Sequence, residues 1–293
     1  MATWLPTRRD FLASLAAAPL SGLALRDALA APSRLRFGMV TDIHYADIDN
    51  AGTRAYREST AKLAECVEFM NRQKVDFLVE LGDFKDQGKP PDETVTLGYL
   101  AAIEKVFRGF GGARYHVLGN HDVDSISKQQ FRAAVGMERE ASYFSLEQKG
   151  IRFLVLDANF RSDGTDYDHG NYEWADANVP PRELEWIERT LARTPGRAIV
   201  FIHQQLDGEG AYYVKNAAAV RAVLERSKKV LAVFQGHRHE GGYSLINGIH
   251  YYTLKSVIEG SGPENSAYAI VEADQQFNLT VTGYRRAETR RLL

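Results

Sequence analysis

At 293 residues, with 36 basic and 38 acidic side chains, the chain is long enough for one large domain or two small ones and is close to neutral. Its hydrophobic fraction of 44% is that of a chain able to bury a substantial core. No Lys/Arg block points to long nucleic acid, and the single cysteine, Cys66, excludes an internal disulfide framework or a cysteine-rich zinc knuckle.

The first thirty residues differ in kind from the rest. Arg8 and Arg9 precede a moderately apolar run from Phe11 to Leu25, and Ala28-Leu29-Ala30 closes it as a small-residue cleavage pattern. The arginine pair followed by Phe11-Leu12 resembles a twin-arginine leader, so residues 1–30 are expected to be an export signal and 31–293 the mature, single-domain chain. The apolar run is short for a membrane span, and no cysteine follows the cleavage pattern to take a lipid. The mature chain keeps 33 basic and 36 acidic residues, a net charge of −3. A periplasmic or secreted protein without a stable membrane anchor is the expectation.

Beyond the leader, strands alternate with helices. Leu35–Ile43 reads as a buried strand, Arg54–Gln73 as a helix with Leu63, Val67 and Met70 on its apolar stripe, and Val75–Leu81 as a strand. Cys66 borders that stripe and is expected in the core. Thr94–Phe110 reads as a helix ended by Gly111-Gly112, Ala113–Gly119 as a strand and Lys128–Val135 as a short helix. Two strands then pair across Lys149-Gly150, a hairpin signal. The segment Arg161–Pro180 is a long polar loop, a kind that is often functional. A helix opening on proline (Pro180–Thr194), a strand (Arg197–His203), a helix (Lys215–Lys228), a strand (Val230–Gly236) and a strand-rich tail complete the chain.

Five of these strands run into polar residues able to bind metal. Asp42 and His44 follow the first, Asp83 the second, and Asn120, His121 and Asp122 the third. His203 follows the strand from Arg197, and His237 and His239 follow the strand from Val230. Five of the eight histidines fall in these positions. Ligands of α/β folds bind outside the carboxyl ends of strands, and strand alternation would turn Asp42 and His44, or His237 and His239, to one side. Mixed carboxylate and imidazole donors suit divalent transition metals. Two such cations against two aspartates leave a charge of about +2, which suits a phosphate ester or pyrophosphate.

This order of residues is that of the calcineurin-like metallophosphoesterases, which the chain resembles from about Leu35 to its C-terminus. The resemblance implies an α/β fold in four layers (αββα), with two mixed β-sheets flanked by helices. It also implies two divalent metals (Mn, Fe or Zn). Asp42, His44 and His239 would hold one, Asn120, His203 and His237 the other, and Asp83 would bridge them. His121 would lie over the substrate phosphate as a catalytic residue, where it can donate to the phosphoryl oxygen or protonate the leaving group. Asp122 is a candidate to orient His121, or to cap the next segment.

Closer matches in "FGMVTDIHYADID", "RAYRESTAKL", "YHVLGNHD", "GHRHEGGY" and "GIHYYTLKSVIEGSGPENSAYAIVE" resemble the manganese-dependent ADP-ribose/CDP-alcohol diphosphatase branch. They imply manganese and a small-molecule substrate in which a diphosphate joins a nucleoside to a sugar or alcohol. That branch commonly carries glutamine where this chain has His44, a departure toward the wider superfamily. Two alternatives stay open: a broad-specificity periplasmic phosphomonoesterase or phosphodiesterase, and a metal- or phosphate-binding module without turnover. Tyr243, Tyr251 and Tyr252 are candidates to stack on a base, and roles for Tyr45, His250, Lys255 and the Arg161–Pro180 loop stay open.

Overall fold

The first strand, β1 (Leu35–Val40), sends Leu35, Phe37 and Met39 into one core and Val40 into another. That alternation sets the architecture, because a strand apolar on both faces must be covered on both. The computed structural model describes Met1 and residues 35–137 and 141–293. The export signal expected over residues 1–30 falls outside these stretches.

Chain order continues with α1 (Ser59–Gln73), β2 (Phe77–Glu80), α2 (Glu93–Phe107), β3 (Ala113–His116), α3 (Lys128–Val135), β4 (Phe144–Gln148), β5 (Ile151–Val155) and α4 (Pro181–Arg193). Then follow β6 (Arg197–Phe201), α5 (Ala217–Ser227), β7 (Val230–Gln235), β8 (Gly242–Ile246), β9 (Ile249–Thr253), β10 (Ala267–Ala273), β11 (Leu279–Arg285) and β12 (Arg290–Leu292). Two six-stranded sheets result, in the orders β12-β11-β10-β1-β2-β3 and β4-β5-β6-β7-β9-β8. Both are mixed: β1, β2 and β3 run parallel, as do β5, β6, β7 and β9, while β10 and β8 pair antiparallel with their neighbours.

Between the sheets lies an aromatic core. Phe37 stacks on Phe77 at 4.9 Å and meets Phe153, Phe201 and Phe234 edge-on at 5.6–5.8 Å. Burying one such ring contributes on the order of 2–3 kcal/mol. The outer face of the first sheet packs on α1–α3 through Leu63, Cys66, Met70, Leu100, Phe107 and Phe131, so Cys66 is a core residue. The outer face of the second packs on α4 and α5 through Ile187, Leu191, Val220 and Leu224. This is the four-layer αββα arrangement.

Helix ends follow local chemistry. Asp92 accepts the Val95 N–H at the start of α2, and Ser127 with Gln130 forms a capping box on α3. The first helix begins later than its apolar pattern suggests. Arg54 is drawn out of it into a bridge with Glu259, and a single 3-10 turn at Tyr56–Glu58 precedes Ser59.

Candidate metal centre

The parallel strands of both sheets end at one edge, and there the polar residues gather. β1 stops at Val40, β2 at Glu80 and β7 at Gln235, two or three residues before Asp42, Asp83 and His237. Asp42, His44, Asp83 and His237 all take left-handed backbone, with φ of 51°, 46°, 55° and 69°. This corrects the expectation that strand alternation aligns Asp42 with His44 and His237 with His239. The pairs lie in tight turns beyond the strands, and the left-handed residues aim them. Non-glycine residues held in that region cluster at functional sites, where surrounding bonds offset a cost of about 1–3 kcal/mol each.

Those bonds are present. Asp42 accepts from the His237 N–H (3.0 Å) and the Thr41 hydroxyl (2.8 Å). Asp83 Oδ1 accepts the His121 N–H (2.8 Å). Two glycines let the turns close. A Cβ at Gly119 would stand 2.2 Å from Asp83 Oδ1, and one at Gly236 would stand 2.2 Å from Thr41 Oγ1.

Two triads of ligand atoms, each within 4.8 Å of one another, come together: Asp42, His44 and His239, and Asp83, His203 and His237. His44 links them, its Nε2 lying 3.7 Å from Asp42 Oδ1 and 3.5 Å from Asp83 Oδ2. His203 Nε2 lies 3.1 Å from Asp83 Oδ2, and His239 Nε2 lies 3.5 Å from Asp42 Oδ1. The opposite ring nitrogens are held from behind: His203 Nδ1 donates to Leu81 O (2.9 Å), and His239 Nδ1 meets Glu259 Oε1 (2.6 Å). Such partners fix which nitrogen faces inward.

The donor set fits divalent metal. His44 Nε2, His203 Nε2, His237 Nε2 and Asn120 Oδ1 are buried without a hydrogen bond, an arrangement costly for polar atoms that bind nothing. Burial alone would raise Asp83, yet His203, His121 and His44 hold it far below the usual carboxylate range. Burial would lower His203 and His239, but Asp83 and Asp42 respectively hold each up at about 9. His237, lowered to about 3 by burial and by His203, stays neutral with its lone pair available. A cation supplies the compensation the carboxylates otherwise draw from protons.

His121 stands at the edge of this cluster, its ring 4.7 Å from that of His44. Asp122 does not orient it. The Asp122 carboxylate is buried and accepts backbone N–H groups from Asp83 (3.0 Å), Phe84 (2.9 Å) and Gly119 (2.8 Å), tying the loop after β2 to the loop after β3. Burial and the nearby Asp83 push its pKa up to about 6. The partners of His121 are instead Asp86 (Nδ1 to Oδ1, 3.2 Å) and Asp124 (Nδ1 to Oδ2, 3.6 Å), and Lys85 pairs with Asp124 from within the core. Sequence reading missed these residues. The signal was there in "GDFKDQG", where Asp86 is the second acid after the strand.

A cavity of about 420 Å³ opens over the cluster. The Arg161–Pro180 loop forms part of its wall with Tyr172, Glu173 and Trp174. Tyr172 stacks on buried Tyr167 at 4.1 Å and donates its hydroxyl to the Asn120 carbonyl, so the loop is fastened to the site. Trp174 and Tyr212 are 42% and 44% exposed, 5.3 Å apart, and lie 6.0 and 5.6 Å from the His237 ring.

The tyrosines expected to stack on a base are elsewhere. Tyr252 is in the core between the sheets, Tyr251 is under the outer helices, and Tyr243 bonds His250 Nδ1 beneath the Arg290 guanidinium. Lys255 pairs with Glu288 (3.0 Å), and Tyr45 packs on Tyr99. None of Tyr45, Tyr243, His250 and Lys255 lines the cavity.

Metal-directed imidazoles beside an acid-held histidine are the equipment of a metal-dependent phosphoester hydrolase. Comparison with known proteins names the group: residues 35–241 match the calcineurin-like phosphoesterase family, and the chain belongs to it. It is similar to proteins named manganese-dependent ADP-ribose/CDP-alcohol diphosphatase. The rice protein is 26% identical over 86% of this chain and 92% of its own length, and that of Xenopus tropicalis 26% identical over 79% and 86%. Among solved structures, a dimetal phosphatase from Danio rerio shares the fold with a TM-score of 0.77, at 20% identity over 89% of this chain and 99% of its own. A purple acid phosphatase of yellow lupin aligns at a TM-score of 0.57 and 13% identity, over 88% of this chain and 52% of its own. The family, these relatives and the donor set give a binuclear divalent metal centre.

Proposed function

We propose that the protein hydrolyses the diphosphate of nucleoside diphosphate-linked small molecules of the ADP-ribose or CDP-alcohol type. The observation that carries this is the exposed Trp174–Tyr212 pair beside His237. A centre for simple alkyl or aryl phosphates has no need of two large solvent-facing rings next to its ligands, whereas a nucleobase stacks on them at about 1–3 kcal/mol. The names of the relatives point the same way.

Asp42, His44 and His239 would hold one metal, Asn120, His203 and His237 the other, and Asp83 would be shared. When bound, the pair supplies Lewis acidity and an activated water. Asn120 contributes a ligand without negative charge that would repel phosphate. His121 is held at Nδ1 by Asp86, so Nε2 is the atom that faces substrate. Burial lowers its pKa, but Asp86 and then Asp83 raise it well above the usual histidine value, which favours the protonated, donating ring. Export through residues 1–30 is part of the proposal and rests on the Arg8-Arg9 leader; mass spectrometry of natively expressed protein should show a chain starting near Ala31.

The test of function is a substrate panel with manganese: ADP-ribose, CDP-choline, p-nitrophenyl phosphate and its bis-ester. The proposal expects the nucleoside diphosphates to lead in kcat/KM, and Trp174→Ala to remove most of that lead. Simple esters turned over as fast as ADP-ribose would favour the general phosphoesterase.

A further inference from the structure

The cavity over the metal ligands has two ends of different chemistry. Trp174 and Tyr212 stand at the His237 end. Arg54 stands at the His239 end, where Glu259 Oε1 lies 2.6 Å from His239 Nδ1 and 4.0 Å from Arg54 Nε. Among the described residues lining the cavity, Arg54 is the only lysine or arginine.

Arg54 is held by its backbone. It bridges Ala51 and Glu259, the Ala55 N–H reaches Ile258 O (3.0 Å), and the Gly260 N–H reaches Thr53 O (2.7 Å). Lys62, buried in α1, donates to the Val257 carbonyl (2.8 Å) and to that of Gly260, fixing the partner loop from beneath. A guanidinium on a fastened turn loses little freedom when it binds. Its pairing with Glu259 is loose, at 4.0 Å with the arginine side chain 34% exposed, which leaves guanidinium N–H donors for another anion.

We propose that Arg54 recognises the second phosphate of the substrate and so makes the site select diphosphates over monoesters. The inference rests on the diphosphatase reading above and adds the residue that reads the diphosphate. A diphosphate diester carries one negative charge on each phosphate. The metal centre neutralises the phosphate that reacts, and the other must lie beside it in a wall that also carries Asp124 and Glu173. Lys85 and His121 already pair with Asp124, which leaves the second phosphate without a cation of its own; a guanidinium meets it with paired N–H donors. With the base on Trp174 and Tyr212 and the reacting phosphate over the metals, the chain of the substrate leads toward Arg54. A monoester has nothing to reach it.

The experiment measures kcat/KM for ADP-ribose and for p-nitrophenyl phosphate, with metal content, in manganese-loaded wild type, Arg54→Ala and Arg54→Lys. Arg54→Ala is expected to lower the ratio of the two constants about 100-fold, or ~2.7 kcal/mol. The loss should appear mainly in KM for ADP-ribose, with two metals retained, and Arg54→Lys should recover part of it. Equal losses on both substrates, or loss of metal, would mean that Arg54 acts only through Glu259 and His239, and would overturn the inference while leaving the diphosphatase reading intact. A wild type that does not prefer ADP-ribose would overturn both.

Discussion

Asp86 ties His121 to His44: one carboxylate oxygen lies 3.2 Å from His121 Nδ1 and the other 3.4 Å from His44 Nδ1. The proposed metal ligand and the proposed proton donor are thus positioned by the same side chain. Replacing Asp86 with asparagine keeps the shape and removes the charge. Asp86 raises the His121 pKa, so its loss should lower it. Activity that needs the protonated ring should then fade at lower pH than in wild type. Removing a positioned acid typically costs about 10²–10⁴-fold, and a fall in kcat of roughly 100-fold is expected, with the basic limb of the kcat–pH profile moved to lower pH. An unmoved profile would show Asp86 to be structural.

Gly119→Ala should disrupt the centre without touching a ligand. Its Cβ would meet Asp83 Oδ1 at 2.2 Å and Asp83 N at 2.3 Å, and backbone cannot swing away as a side-chain tip can. Overpacking of this kind costs about 1–3 kcal/mol. The variant should melt several degrees lower and bind less metal, as thermal unfolding and metal analysis would reveal.

Beneath the centre, His116 sits between Glu104 (Nε2 to Oε2, 3.2 Å) and Glu80 (Nδ1 to Oε2, 3.3 Å). Burial alone would lower its pKa, but the two carboxylates, Glu104 first, hold it up at about 9. The folded value lies above the unfolded one, about 6.5. The stabilisation is therefore complete below about pH 6.5 and is lost as pH rises through about 9. Wild type should lose stability on the order of 3 kcal/mol over that window. Burial pushes Glu80 up to about 8 and adds a slope of the same sign below that pH, so His116→Gln, compared at fixed metal, should be shallower than wild type in denaturant unfolding between about pH 8 and 9; parallel slopes there would refute it.

Much of the site was legible because each metal-capable residue follows a short run that reads as a strand. Asp42, Asp83, Asn120, His203 and His237 all converge as that pattern implied, and His121 lies beside them. Local periodicity does not report how a turn is aimed. The left-handed backbone at Asp42 and His44 is set by tertiary bonds such as Asp42 N–H to Gly82 O (3.0 Å), which no pattern within one strand contains. For the same reason Asp122 looked like a partner of its neighbour His121, whereas its carboxylate reaches across to the loop after β2. The stacking tyrosines were misplaced because strand alternation turns both Tyr251 and Tyr252 into cores, one on each face of β9. The rings that do face the cavity lie in loops, where composition carries no direction.

Asp83 is the residue on which the proposed metal assignment turns. Its carboxylate stands between His44 and His203, and in that assignment Asp83→Asn removes a charge that both ions would share. Metal content of manganese-loaded Asp83→Asn, measured beside wild type by elemental analysis, is the most direct test. Two metals per chain in wild type and one or none in the variant is the predicted result; two in the variant would contradict a shared position for Asp83, and fewer than two in wild type would contradict the binuclear assignment.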